Sequence, residues 1–280
     1  MHAAEAHASA PTTVVEAGRR PFVTLAREFW AYRELLYFLV WRDAKVRYKQ
    51  TVLGAAWAVL QPFMTMVVFT IVFGRLAGVP SDGQPYALFA FAALVPWTYF
   101  AQGLGNAAAS LVGNRMITRV YFPRLLVPAA SILTPLIDLA IALGMMFVIQ
   151  LGWYRSVPPV TVVALPAFIV LAAVTAFAAG LWFAALNVKF RDVRYVLPFA
   201  LQFWMFATPI AYPASLVPER WRPLYGLNPM VTVVEGFRWC LLGTPAPVLM
   251  AWVSCASVAV ALWLGLAYFR RVEGTFADVL

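Results

Sequence analysis

Long apolar runs, broken by short basic segments, dominate this sequence and limit what it can fold into. Residues 86–113 carry no charge, and residues 125–154 are apolar apart from one acid. Each run exceeds the roughly 20 residues that a helix needs to cross a bilayer. Over the whole chain 63% of residues are hydrophobic and 12% are charged, whereas a soluble domain has about 25% charged residues. The sequence therefore predicts an all-α membrane protein that crosses the bilayer several times.

The apolar runs predict six transmembrane helices. We place them at residues 52–74, within 86–113, at 125–152, within 161–188, at 196–212 and at 248–269. Cytoplasmic segments of membrane proteins carry an excess of lysine and arginine. Sixteen of the 21 lysines and arginines lie in segments that this arrangement places on one side. That side is therefore predicted to be the cytoplasm, and both termini lie there.

A short basic interruption, residues 114–124, separates the second and third predicted spans. It contains three arginines and no acid, which places it at the cytoplasmic membrane surface. Asn114 can cap a short helix and Pro123 can end it, so we expect the rings of Tyr121 and Phe122 to face water. Exposed adjacent rings on a short helix suit the groove of a partner protein. An ordinary basic loop with its rings among the lipid headgroups is the alternative.

The chain before the first span divides into two parts. Residues 1–20 lack the apolar core of a signal peptide, so we interpret them as a disordered cytoplasmic tail. Residues 21–50 predict a helix, because apolar side chains recur there every three or four positions. Its many charges exclude a span, and its Trp and Tyr residues suit a membrane surface. We therefore expect an amphipathic interface helix, followed by a transmembrane domain at residues 51–280.

The segment between the fifth and sixth spans, residues 213–247, is too apolar for a solvated loop and too broken for one span. Asn228 can cap a helix that ends before Gly243, and such a helix is too short to cross a bilayer. Glu235 and Arg238 lie three residues apart and can pair on one face. We expect two short re-entrant helices that dip into the outer leaflet.

Several kinds of chemistry are excluded by the sequence. No phosphate-binding loop of the G-x-x-x-x-G-K-[ST] type occurs, so the chain is not expected to bind ATP itself. Both histidines lie in the N-terminal tail, and only two cysteines are present, so we expect neither catalytic residues nor a metal site. The net charge of +9 follows from topology rather than from a nucleic-acid partner. The chain is therefore not predicted to be an enzyme.

Asp138 is the only acid well inside a predicted span. An ionisable residue at that depth is a functional candidate by default. A single acid that bonds to Ser, Thr or a backbone group, and so helps two spans to pack, is the alternative interpretation. The role of Asp138 is open at this point.

Several stretches resemble one family, the transmembrane subunits of bacterial ABC-2 type polysaccharide exporters, which export O-antigen, capsule or teichoic-acid chains. The resemblance covers residues 20–270 and depends on the motifs in combination. The matching stretches are RYKQTVLG at 47–54 with Trp57 and Leu60-Gln61-Pro62, VYFPR at 120–124, NVKFRDV at 187–193, TPI at 208–210 with Tyr212-Pro213, LNPM at 227–230 and EGFR at 235–238.

The resemblance implies a homodimer in the bacterial inner membrane, served by two separate ATPase subunits that bind the ATP and Mg²⁺. This chain itself would hold no cofactor. The segment from Arg115 to Phe122 would be the coupling helix, and the short helices after the fifth span would form a periplasmic gate. The coupling residues are Arg115, Met116, Ile117, Arg119, Tyr121 and Phe122, and the gate residues are Asn228, Glu235 and Arg238. The substrate would be a polysaccharide linked to a polyprenyl-diphosphate lipid.

Two further sets of residues are candidates for contact with such a substrate. Arg47 and Lys49, with Arg115 and Arg119, suit a lipid diphosphate, although the excess of positive charge inside explains them equally well. Six aromatic rings offer flat faces to sugars along a substrate path, or else anchor the protein and fill its core. These rings belong to Trp57, Phe63, Trp97, Phe100, Trp204 and Phe206.

Two rival classes are open on the sequence alone. One is an ATP-independent transporter or channel, which would gain support from inverted repeats or several buried charges. The other is a membrane enzyme acting on polyprenyl lipids, which would need a carboxylate pair, a metal site or a base. Dependence on a partner ATPase discriminates between these classes and an ATP-driven exporter.

Overall fold

The computed structural model of the chain describes residues 27, 29–49, 56–112 and 122–274, and the regular structure in this part is helical. In chain order the helices are α1 (Arg33–Lys49), α2 (Ala56–Phe69), α3 (Tyr86–Ala109), α4 (Leu126–Leu133), α5 (Leu136–Gly152), α6 (Leu165–Lys189), α7 (Val193–Phe206), α8 (Arg222–Tyr225), α9 (Pro229–Leu242) and α10 (Val248–Glu273). A π-helical segment, Thr70–Leu76, extends α2, and a 3-10 turn, Val160–Ala164, leads into α6.

Five helical segments among the described residues are long and apolar enough to cross a membrane. They cover Val59–Leu76, Tyr86–Ala109, Leu126–Gly152, Val160–Lys189 and Val248–Glu273. These segments correspond to the first four predicted spans and to the sixth. The prediction of an all-helical membrane protein is therefore confirmed.

The fifth predicted span, residues 196–212, differs from its prediction. Its helix, α7, ends at Phe206 after 14 residues, which is about 21 Å at 1.5 Å per residue. Pro209 explains this early end, because proline disfavours helical backbone at the residue before it. The predicted boundary at Tyr212 is therefore wrong, and the count of six spans stays a prediction.

Helix α3 forms the centre of the bundle and packs against α2, α4, α5, α6, α7 and α9. Of the most apolar 18-residue stretch of α3, 83% of the residues are buried. Small residues allow its close contact with α6, because small side chains let transmembrane backbones approach each other. Gly103 on α3 lies beside Ala176 of α6, and a Cβ added at Gly180 would lie 2.9 Å from the Cβ of Ala107.

The outer helices present apolar surface that this protomer does not cover. Only 11% of the residues in Val59–Leu76 are buried, and in the most apolar 18-residue stretch of α10 only 17% are buried. Trp57 on α2 and Trp252 and Trp263 on α10 are among the exposed side chains. Lipid or another subunit must cover apolar surface of this extent.

Helix α1 lies within the predicted interface segment and packs against α4. Leu39 is buried, and Leu36 is half-buried against the same cluster, as the spacing of apolar residues predicted. Trp30, Tyr37 and Trp41 are exposed on other sides of the helix. The placement of α1 in the membrane interface stays a prediction.

The contact between α9 and α6 provides a test of the packing. A Cβ added at Gly236 would lie 2.1 Å from Cδ1 of Phe168, so we expect Gly236→Ala to destabilise the fold by about 1–3 kcal/mol, as overpacking generally does. The measurement is thermal unfolding of the detergent-purified protein. Gly144→Ala on α5 is the matched control, because an added Cβ there meets nothing within 4 Å.

A double variant separates overpacking from other effects at the same position. Phe168→Ala removes the ring that an added Cβ at Gly236 would strike, so the two substitutions together should cost less than the sum of their separate costs. Additive costs would contradict the packing of α9 against α6 described above.

Candidate functional site

Glu235 and Arg238 form an ion pair one turn apart on α9. The Arg238 Nη1 atom lies 2.8 Å from the Glu235 Oε1 atom, which confirms the pairing predicted from their spacing. The Arg238 side chain is fully buried, and that of Glu235 is 11% exposed. A buried charge needs both a counter-ion and further hydrogen bonds, and the surroundings of Arg238 provide them.

The Arg238 guanidinium connects α9 to two other parts of the bundle. Its Nη2 donates to the Ile210 carbonyl at 2.9 Å, and its Nε donates to the Phe89 carbonyl at 3.4 Å. The guanidinium carbon stands 3.5 Å from the centre of the Phe89 ring, which adds a cation–π contact. Arg238 therefore fixes the start of α3 and the turn after α7 against α9.

Asn228 caps α9 as the sequence predicted. Its Oδ1 accepts from the Met230 backbone N–H at 3.1 Å, and Gly243 adopts the left-handed conformation, with φ of 72°, just past the helix end. The same Oδ1 accepts from Trp204 Nε1 at 2.8 Å, and the Asn228 amide donates to Thr208 Oγ1 at 3.0 Å. Asn228 thus ties the end of α7 to the start of α9.

A second polar cluster lies near the other end of α3. Asp138, in the first turn of α5, accepts hydrogen bonds from the Arg47 guanidinium and the Tyr48 hydroxyl. The Arg47 Nη1 atom also lies 3.4 Å from Gln102 Oε1. Gln102 follows Phe89 by 13 positions on α3, a distance of about 20 Å along a helix. Helix α3 therefore carries one charged cluster near each end.

The partners of Asp138 differ from those that the sequence suggested. One of the two interpretations left open was a bond to a Ser, Thr or backbone group, but the carboxylate bonds to two residues at the end of α1. This interaction connects the predicted interface helix directly to a transmembrane helix. A tyrosine phenol is neutral at physiological pH, and burial and the hydrogen bond to Asp138 both raise the pKa of Tyr48 further, so Tyr48 acts as a neutral hydrogen-bond donor.

The two residues predicted to attract a lipid diphosphate have different surroundings. The charge of Arg47 is balanced by Asp138, which makes Arg47 less suited to hold a phosphate. Lys49, two residues later, is exposed. Diphosphate binding stays a prediction for both residues.

Most of the predicted coupling segment lies outside the described residues, including Arg115, Met116, Ile117, Arg119 and Tyr121. Phe122 is described, and the expectation that its ring faces water is wrong. Its side chain is 5% exposed and packs in a cluster with Leu39 of α1 and Leu181 of α6. The apolar pocket between these helices is a more favourable place for the ring than water. Phe122 therefore anchors the chain at the start of α4.

The six rings predicted to line a substrate path fall into two groups. Trp97 and Phe100 are buried in the core, and the Trp204 ring packs against Phe100 with 4.9 Å between centroids. These three rings face the interior of the protomer. The rings on its surface belong to Trp57, Phe63 and Phe206. Contact with a substrate stays a prediction for all six.

Three residues of these clusters were not identified from the sequence. Tyr48 and Gln102 bond within the cluster around Asp138, and Phe89 contacts Arg238. Gln102 could have been noticed because its side-chain amide lies in an uncharged run. An amide in an apolar environment needs a polar partner. Nothing local marks Tyr48 or Phe89, because their partners lie far away in sequence.

Metal-binding groups are not assembled in the part of the chain that the structure describes. No group of three or more His, Cys, Asp or Glu residues there could hold a metal ion. Cys240 on α9 is buried and Cys255 on α10 is exposed, and neither forms a disulfide.

The buried ion pair on α9 allows a test of its contribution to stability. Glu235→Gln leaves the Arg238 charge without its carboxylate, and breaking a buried pair in this way costs about 3–5 kcal/mol. We expect a large fall in the thermal unfolding midpoint of the purified protein. Glu219→Gln is the matched control, because Glu219 is 89% exposed and lies 3.6 Å from Arg222 at the same i,i+3 spacing. Equal midpoints for the two variants would contradict the account of Arg238.

Comparison with known proteins identifies the family. The family described as ABC-2 type transporter matches residues 34–242. The O-antigen export system permease protein RfbA of Myxococcus xanthus is 31% identical over 260 residues, which cover 91% of this chain and 99% of that protein. RfbA of Klebsiella pneumoniae is 23% identical, over 88% of this chain and 95% of that protein. The polysialic acid transport protein KpsM of Escherichia coli is 23% identical, over 83% and 91%.

These matches cover nearly all of the transmembrane part of the chain. Members of this family are transport subunits rather than enzymes, and ABC-2 permeases of exporters work with ATPase partners. The apolar helices agree with a multi-pass protein of the inner membrane. The chain therefore belongs to the ABC-2 type transporter family, as a permease subunit.

Proposed function

We propose that this chain is the transmembrane subunit of an ATP-driven exporter that moves a lipid-linked, O-antigen-like polysaccharide across the bacterial inner membrane. The observation that carries the proposal is the 31% identity with an O-antigen export permease over 99% of that protein. The matches to a second RfbA and to a polysialic acid transport protein support the same substrate class. Two copies of the chain pair with two ATPase subunits, which bind the ATP and Mg²⁺.

The coupling of ATP hydrolysis to transport acts at the basic interruption. Residues 113–121 lie between the end of α3 and Phe122, which is anchored beside α1 and α6. A force applied to this segment therefore acts on α3, the most buried of the apolar helices. Because α3 is packed on several sides, it moves with its neighbours rather than bending alone. ATP binding shifts the permease towards the conformation that releases the polysaccharide outward only if the ATP-bound ATPase binds that conformation more tightly than the resting one.

The second copy covers apolar surface that the protomer leaves open. The first span is only 11% buried, and Trp57, Phe63 and Phe206 are exposed on α2 and α7. Pairing along this surface would place aromatic faces on both sides of a substrate path, where they can pack against sugar rings. This arrangement supports the role predicted for these three rings.

The outer end of the path is closed by α8, α9 and the turns around them. These helices are too short to cross a bilayer, and non-helical backbone at membrane depth must be buried in protein or line a water-filled path. The contacts of Asn228 and Arg238 hold this segment to α3 and to the end of α7. We therefore assign the gate to this segment, with both chain termini on the opposite, cytoplasmic side.

A lipid diphosphate at the inner surface would meet Lys49 first. Lys49 is exposed at the end of α1, and the sequence places Arg115 and Arg119 on the same side of the membrane. Lysine and arginine suit phosphate groups. We therefore propose that Lys49, Arg115 and Arg119 contact the diphosphate, and that Arg47, which is paired with Asp138, contributes less.

The coupling proposal is tested with single substitutions. Tyr121→Ala should release the ATPase from the permease, because it removes the ring proposed to occupy the groove of the partner. Phe122→Ala should instead destabilise the permease by about 3–5 kcal/mol, because its ring is buried. The measurements are copurification of the candidate ATPase and thermal unfolding of the permease.

Tyr195→Ala is the matched control for the coupling test. Its ring is 62% exposed near the start of α7, in the segment between the fourth and fifth predicted spans, which the predicted topology places on the cytoplasmic side. We expect this variant to retain the ATPase. Equal retention by Tyr121→Ala, or failure of any ATPase to copurify with the native chain, would contradict the coupling proposal.

A further inference from the structure

A cavity of about 330 Å³ lies between the end of α1, the start of α2, and helices α3 and α5. Its volume is at the small end of the range for ligand cavities, about 300–1,000 Å³. Arg47, Tyr48 and Asp138 form one part of its lining. The other polar residues of the lining are Gln61, Thr98, Tyr99 and Gln102, and Trp57 borders the cavity.

The charges in this lining balance. Arg47 contributes one positive charge and Asp138 one negative charge, and the two are in contact. Tyr48 is a neutral phenol at physiological pH, and burial and its bond to Asp138 raise its pKa further. An anion in the cavity would meet the Asp138 carboxylate as well as the guanidinium, so the lining does not favour a phosphate group. Amides and hydroxyls supply the remaining polar groups, and these suit a neutral ligand with many hydroxyl groups.

The Tyr99 hydroxyl provides an independent indication of a ligand. Tyr99 is 2% exposed, and its hydroxyl has no hydrogen-bond partner among the described residues. Buried polar groups in proteins are nearly always hydrogen-bonded, to protein, to water or to a ligand. Tyr99 lines the cavity, but its hydroxyl is covered by neighbouring atoms, so the Tyr99 side chain must turn for a ligand hydroxyl to become the partner that the described residues do not supply.

We propose that this cavity is a subsite for one sugar residue of the exported polysaccharide, with one such subsite in each protomer. Tyr99, Thr98 and Gln102 would bond to the sugar hydroxyls, and the half-exposed Trp57 ring would pack against the apolar face of the sugar. The proposal rests on the proposed function and specifies which part of the substrate this surface binds. It assigns the cavity to the saccharide rather than to the lipid diphosphate.

The subsite is tested in the complete complex, the permease with its ATPase, in membranes. Ala142→Cys and, separately, Gln61→Cys place a reporter thiol in the cavity lining, and the rate of their reaction with a maleimide is measured by mass spectrometry. One probe is inorganic pyrophosphate. The other is the surface glycan of the bacterium that carries this chain, released from its lipid by mild acid. Ser156→Cys, in the exposed loop after α5, is the control position.

We expect the released glycan to slow labelling in the cavity at least threefold, with no effect of pyrophosphate and no change at Ser156→Cys. Tyr99→Phe should abolish this protection while leaving the thermal unfolding midpoint unchanged or raised, because the missing hydroxyl has no partner to lose among the described residues. A residue with only a packing role would lower the midpoint or leave the protection intact.

Three results would overturn the subsite. These are protection by pyrophosphate equal to that by the glycan, protection by neither probe at both reporter positions, and full protection in the Tyr99→Phe variant. Failure of the proposed function is recognised separately. A strain that lacks this chain would then still display the glycan, whereas failure of the subsite alone leaves display dependent on the chain.

Discussion

The burial of the Arg238 charge is the interaction on which the predicted outer half of the structure depends. A guanidinium without water needs a counter-ion and hydrogen-bond acceptors around it, and these come from three separate parts of the chain. Glu235 supplies the carboxylate, and the carbonyls of Ile210 and Phe89 accept further bonds. The short helices between α7 and α10 are therefore held by polar contacts as well as by apolar packing. These contacts are the ones that must break or rearrange if this segment is the proposed gate.

Helix α3 connects this outer cluster with the cluster around Asp138, about 20 Å along the helix. Its end leads into the segment that we propose to bind the ATPase, and its start contacts Arg238. A movement at the proposed ATPase-binding segment thus has a direct physical route to the proposed gate through one packed helix. The bonds of Asp138 to Arg47 and Tyr48 also bring α1 into this route. We therefore infer that α1, α3 and α9 move together as one mechanical unit.

Local sequence patterns predicted much of this architecture because their physical causes are local. Apolar length gave the five long spans, and the cap at Asn228, the end at Gly243 and the pair of Glu235 with Arg238 depend on residues close in sequence. The wrong boundary at Tyr212 has a local cause, Pro209, whereas the burial of Phe122 and the partners of Asp138 depend on distant contacts. Phe122 is buried by α1 and α6, and Asp138 bonds to residues about 90 positions away. No local pattern contains that information, and the resemblance to a family did not supply it.

Export of the glycan in a reconstituted system tests the central claim most directly. Membrane vesicles would contain the permease, its ATPase and the lipid-linked glycan, and the appearance of the glycan on the originally periplasmic face would be measured with and without ATP. The account predicts transport that requires both proteins and ATP hydrolysis. Transport by the permease alone without ATP, or no transport although ATP is hydrolysed by an intact complex, would contradict it.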